Sequence, residues 1–191
     1  MVNRFVVLLA IAQAVIAPAL AQTPAPPKPA AQKPDALLPV SAEPQSTSAA
    51  FGDWTLRCQR VPDGDKTVKL CEIAGAIRNQ NQDAIAQAII SRALKSDPLK
   101  LTAQIPNNVL LSGPVKITTG ERDARPWELG LRRATPIGVF ADLTLSDSQL
   151  LTLHLQNAPG SLEFTDAAGR PIKLPLSLRG LPQALDALAR E

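Results

Sequence analysis

The chain has 191 residues, with 20 Lys and Arg against 17 Asp and Glu for a net charge of +3, and its acidic residues are scattered among the basic ones. No basic stripe of the kind that nucleic-acid binding requires is present, so nucleic acid is not the expected partner. With 2 Cys and 1 His the chain cannot furnish an ordinary four-ligand zinc centre, and no metal or cofactor is expected.

The N-terminus, MVNRFVVLLAIAQAVIAPALAQ, has a positive residue at Arg4, an uncharged and mostly apolar run from Phe5 to Ala17, and Ala19-Leu20-Ala21 before Gln22. This is the pattern of a secretory signal peptide over residues 1–21, cut after Ala21. The run is shorter than the ~20 residues of a bilayer span, and no later stretch is long and apolar enough to cross a membrane. Residues 22–50 are rich in Pro, Ala, Ser and Gln and lack aromatics. Such a segment buries too little apolar surface to offset its ordering, which predicts a disordered linker. Residues 51–191 then form one domain.

"DWTLRCQRV" alternates Trp54, Leu56 and Cys58 with Thr55 and Arg57, "DGDK" at 63–66 signals a turn, and "TVKLCEIAGAI" resumes an extended pattern. A loop at 63–66 pairs Pro62 with Thr67 and Arg60 with Lys69, which sets Cys58 opposite Cys71. Opposed residues of a non-hydrogen-bonded antiparallel pair approach within ~4.5–5.5 Å, close enough for a disulfide. In an exported chain that bridge is the expected state of two cysteines. Reactive thiols and a metal site are the weaker alternatives, since the spacing is far longer than C-x-x-C.

Further on, "QDAIAQAIISRAL" is Ala-rich enough for a helix, but its Ile-Ile-Ser and the following Asp97-Pro98 suit a buried strand, and "PLKLTAQIP" reads as a strand with one face inward. "NNVLLSGPVKITTG" contains two short apolar segments about a turn, and "PWELGLRR" and "PIGVFADLTL" read as strands. Ser146 and Gln149 form a capping box that predicts a short helix near 146–155. "SLEFTDAAGRPIKLPLSL" reads as a hairpin, and "LPQALDALARE" as a C-terminal helix with Leu181, Leu185 and Leu188 on one face. Many short strands with little helix predict a mainly β fold, an antiparallel β-sandwich or open barrel.

Catalytic patterns are absent. His154 lies among leucines, and Ser177, in "LPLSLRG", lacks the G-x-S-x-G turn that exposes a nucleophile. No phosphate loop, H-E-x-x-H or calcium loop occurs. "GERDARPWELGLRR" groups Arg122, Arg125, Arg132 and Arg133 about Trp127, residue types enriched at interface hot spots, although a solvated loop with Trp127 turned to the core is the plainer reading.

The opening "FGDWTLRC", then "CEIAGAI", "PLKLTAQIPNNVLL" and "GVFADLTL", and the closing "GSLEFTDAAGRPIKLPLSLRGLPQALDAL" together resemble the invasion-associated locus B family over nearly all of Phe51 to Leu188. The most specific parts are the G-D-W-x-x-x-C opening and S-L-R-G before a helix, matched here by Gly52, Trp54, Cys58, Cys71, Ser177, Leu178 and Gly180. The family often has a second cysteine pair, where this chain has Ala134 and Val139. The resemblance implies a small exported protein of a Gram-negative bacterium, periplasmic or secreted, with no catalytic residues to carry over. The expected function is a non-enzymatic interaction protein with a protein or envelope partner, and a role in host interaction follows from the family alone. The alternatives are a small periplasmic hydrolase using Ser177 or another Ser with His154, and a periplasmic stress-protection protein acting as a chaperone.

Overall fold

The computed structural model describes residues 44–120, 125–156 and 158–191, all within one unit, Ser41–Glu191. The expected signal peptide, most of the expected linker, and Arg122 lie outside the described residues. The elements in chain order are β1 (Ser46–Phe51), β2 (Trp54–Asp63), β3 (Lys66–Arg78), β4 (Ala84–Ser91), β5 (Lys100–Ile105), β6 (Val115–Thr118), β7 (Trp127–Thr135), β8 (Gly138–Thr144), α1 (Asp147–Leu155), β9 (Gly160–Thr165), β10 (Pro171–Leu176) and α2 (Leu181–Arg190).

The strands form one antiparallel sheet of 10 strands in the order β1-β2-β3-β4-β5-β8-β7-β6-β9-β10. Of the two architectures the pattern allowed, the single open sheet is the one formed. It curls enough for β10 to come against β3, while α2 packs against β1, β2 and β3. The curl follows from which residues face inward. Trp54 pairs with Gly75, Gly75 with Ala88, Ala88 with Ala103 and Ala103 with Ala141, a row across β2, β3, β4, β5 and β8. Trp54 and the three alanines of that row are buried. Small side chains on the concave face let neighbouring strands bend inward, and larger residues fill the space they leave, as in small barrels.

Alternation holds along β4 and β5, where Ala86, Ala88, Ile90, Leu101, Ala103 and Ile105 are buried. The helices form where the caps place them. Gln149 N–H donates to Ser146 Oγ at 3.3 Å and Ser146 N–H donates to Gln149 Oε1 at 2.9 Å, which completes the capping box of α1. In α2, Leu181, Ala184, Leu185, Ala187 and Leu188 are buried while Gln183, Asp186 and Arg190 face solvent.

One expectation is corrected in detail. The ordered sheet begins before residue 51, because Ser46–Ala50, read as the end of the linker, belong to β1 and pair with β2 from Gln59 to Thr55. These small, exposed residues carry no apolar pattern. Backbone hydrogen bonding to an edge holds the strand, and that leaves little trace in sequence. Of the two apolar segments in 107–118, only the second is a strand; Val109 makes a single bridge with Asp166, and Leu110 and Leu111 are exposed.

Candidate functional site

The β2–β3 hairpin has the expected register, Cys58 opposite Cys71, with pairing carried one step further so that Asp63 meets Lys66 across Gly64-Asp65. Counted from Asp63–Lys66, hydrogen-bonded and non-hydrogen-bonded pairs alternate, and Cys58–Cys71 falls on a non-hydrogen-bonded one. The two cysteines are disulfide-bonded with Cα atoms 4.1 Å apart. Cys58 is buried and Cys71 half-buried. The Glu191 carboxylate comes near both sulfurs, but it pairs with Lys69 and the sulfurs are bonded to each other, so this group has no thiolate to offer a metal.

The two sequence motifs, far apart in the chain, meet in one clamp. Asp53 N–H donates to Arg179 O at 3.0 Å, and the Trp54 indole N–H donates to Ser177 O at 3.0 Å. The Asp53 carboxylate accepts from Ser177 Oγ at 2.6 Å and from Arg179 through Nε at 3.1 Å and a terminal nitrogen at 2.6 Å. This two-pronged arginine contact, together with the serine hydroxyl, holds the Asp53 carboxyl below the usual carboxylate range, and Asp53 in turn raises Arg179.

The glycines are what allow the approach. Gly180 has φ +85°, and a Cβ there would lie 2.1 Å from Phe51 O; Gly52 has φ +57°, and a Cβ there would lie 2.6 Å from Arg179 O. Any side chain at either position would push the β1–β2 turn and the start of α2 apart. Leu178, next to Ser177, is buried in the core. Below the clamp the Trp54 ring lies on Gly75, where an added Cβ would sit 3.0 Å from Cε2. Asp53 and Ser177 also edge a polar groove of about 670 Å³ shared with Thr55, Arg57 and Arg78.

The remaining sequence candidates are dispersed. Ser177 is committed to Asp53, and its Oγ accepts the Arg179 N–H at 3.3 Å. His154, on α1, faces Asp186 of α2 with Nδ1 3.8 Å from the carboxylate. These contacts do not bring Ser177 and His154 together. In the arginine group, Arg125 is exposed, Trp127 is half-buried against the core, Arg132 pairs with Asp142, and the Arg133 guanidinium lies 4.6 Å from the centre of the Phe140 ring. Trp127 and Arg133 are separated by about 20 Å of strand, so these side chains do not converge on one point.

Sequence reasoning passed over Asp53 and Arg179, although both lie inside the motifs it singled out. Asp166 at the β9–β10 turn was legible only as the head of a turn and, with Asp142 and Asp147, as an acid that no spacing selects for a catalytic triad. That buried carboxylate accepts the Ala168 and Arg170 N–H groups at 2.9 Å each and the Arg170 guanidinium at 2.7 Å, and the Arg170 contacts hold its carboxyl below the usual range. The signal for Asp166 was its place at the head of D-A-A-G-R, where a carboxylate can receive the turn's own N–H groups.

The profile of the family described as invasion associated locus B (IalB) protein matches residues 54–189. Among solved structures, the chain resembles invasion associated protein b from Bartonella henselae, with TM-score 0.62 and 20% identity over 75% of this chain and 95% of that one. At that identity the likeness establishes the fold. No curated protein matches the sequence.

Proposed function

This chain belongs to the invasion associated locus B family, and on that premise we propose that it is an exported, non-enzymatic interaction module of the cell envelope or its surroundings. The observation that carries the reading is the commitment of the motif residues to one another. Asp53, Trp54, Ser177 and Arg179 direct their hydrogen bonds across the seam between the two ends of the domain. A serine that donates to a carboxylate bound by arginine lacks the base that nucleophilic catalysis requires. The hydrolase alternative therefore has less support than binding.

Export draws its support from the signal-like N-terminus and from the disulfide, a bond that persists in oxidising compartments. Among the described residues no helix is long and apolar enough to cross a membrane. The partner is a protein or envelope component, and the polar groove beside the clamp is the surface proposed to meet it. Involvement in host interaction rests on the family's name alone.

Cross-linking in living cells that express the tagged full-length chain, with mass spectrometry of the captured species, tests this reading. The expected result is a reproducible envelope or host-surface partner whose capture falls when Arg78 is changed to Glu, together with an N-terminal peptide beginning at Gln22. Loss of an ester, peptide or glycan hydrolysis activity in His154→Ala, with folding intact, would overturn it in favour of the hydrolase.

A further inference from the structure

The outward face of β2 to β5 carries a feature that the clamp does not use. The register sets Arg57 beside Glu72, Glu72 beside Ser91 and Ser91 beside Lys100, one row across four strands. These residues alternate with buried Leu56, Ile73, Ile90 and Leu101, so the row points away from the core. Toward the tip of the β2–β3 hairpin the row borders a groove of about 560 Å³, walled on its far side by the connection from β4 to β5. That size falls within the range of small-molecule sites.

The surface of this groove is apolar where Val61, Leu70 and Pro98 line it, and Leu70 is 40% exposed there. Its charges are unevenly engaged. Glu72 pairs with Arg57 at 2.9 Å, and the Asp97 carboxylate accepts the Leu94 N–H at 3.1 Å to close a turn. Arg92 and Lys100 also line the groove and make no ion pair among the described residues. An apolar surface bordered by two unpaired cations is complementary to a ligand with a hydrocarbon body and one anionic end. A small free anion would leave Val61 and Leu70 wet, and a neutral chain would leave unanswered the net positive charge of the lining, in which Arg57, Arg92 and Lys100 stand against Glu72 and Asp97.

We propose that this groove binds a free long-chain carboxylate, its head between Arg92 and Lys100 and its chain along Val61, Leu70 and Pro98. The inference goes beyond the interaction-module reading and stands apart from it, since capture of a protein partner in cells leaves this groove unaddressed.

Calorimetric titration of the full-length, disulfide-intact protein with sodium dodecanoate below its micelle concentration tests it. Saturable binding of one dodecanoate per chain is expected. The double variant Arg92→Ala/Lys100→Ala should weaken it by about fivefold or more with the thermal midpoint unchanged, and Leu70→Asp should weaken it independently. Sodium acetate should neither bind nor compete. Wild-type affinity in the double variant, equal affinity for octyl glucoside, or non-saturating uptake would each overturn the proposal. So would response only to anionic vesicles, or only to a Leu/Glu-rich peptide, which would assign the groove to a membrane surface or a protein segment.

Discussion

The disulfide hairpin and the seam clamp are two ways of fixing the same sheet. The hairpin is local and covalent, with its cysteines 13 residues apart. The clamp is distant and non-covalent, joining Trp54 to Ser177 and Asp53 to Arg179 across 123 and 126 residues. The hairpin pins the register of β2 against β3. The clamp ties the far end of the chain back to the start of β2, beside the strands that α2 covers. The covalent bond thus guards the contact that is easier to form, while the contact with the larger loop-closure cost is held by a buried indole, two glycines and an ion pair.

The largest expected effect is therefore on the clamp. Trp54→Ala removes a buried ring and the donor to Ser177 O, and should cost about 3–5 kcal/mol in urea unfolding. Trp54→Phe keeps most of the packing and should cost a good deal less. Equal losses in the two would mean that the indole N–H, and not the ring's fit over Gly75, is what matters. Next comes the bridge. Reduction, or the Cys58→Ala/Cys71→Ala pair, should lower stability by about 3 kcal/mol in the chain-entropy model for a loop of this size. An unmoved melting midpoint on reduction would show that the local ladder holds the register unaided.

That ranking bears on what the sequence could disclose. Hairpin register is arithmetic on neighbouring residues: a turn signal at 63–66 and period-two alternation sufficed to place Cys58 opposite Cys71. The capping box of α1 and the apolar face of α2 were legible for the same reason, since their determinants lie within a turn or two. The clamp has no period to read. Gly52 and Gly180 stood out only as family marks, Trp54 also as an inward residue of an alternating strand and Ser177 also as a candidate nucleophile, and nothing in either stretch says that a Cβ at Gly180 would strike Phe51 O. Asp53 and Arg179 went unnoticed because an exposed acid and an exposed base look like ordinary surface until the fold makes them neighbours. The strand Ser46–Phe51 was hidden for a related reason, being held by backbone pairing with little side-chain burial.

A smaller effect is expected at Ala134 and Val139, where the resemblance places a second cysteine pair. Ala134 and Val139 lie directly opposite one another on β7 and β8, one pair beyond Thr135–Gly138 at the turn. That is the same non-hydrogen-bonded class of position that Cys58 and Cys71 occupy. The variant Ala134→Cys/Val139→Cys should oxidise to a second bridge, seen as a mass loss of two hydrogens and protection from alkylation. Its gain should be at most about 2 kcal/mol, because the loop it closes is short and the hairpin already constrains it. Free thiols under oxidising conditions would mean that the bulge between Leu131 and Arg133 turns the two side chains apart.

The smallest effect isolates the clamp's charge from its packing. The Asp53 carboxyl is held below its ordinary range by Arg179 first and Ser177 second, so the folded state binds a proton there less readily than the unfolded chain does. Its contribution is then fully present above the ordinary carboxylate value of about 3.9, and is lost as pH falls through the lower folded value. The group is partly exposed, with 37% of its side chain accessible, so water and salt screen much of the interaction. Asp53→Asn should lower the urea midpoint slightly at pH 7, and the gap to the unaltered protein should close as pH drops below about 4. Glu163 and Asp166 are lowered as well, by Lys173 and by the Arg170 contacts, and both proteins share that acid sensitivity. Only the difference between the two curves reports on Asp53. Parallel curves from pH 7 down to 2.5 would mean that the clamp is held by Trp54 and the glycines, with Asp53–Arg179 a surface pair that adds nothing measurable.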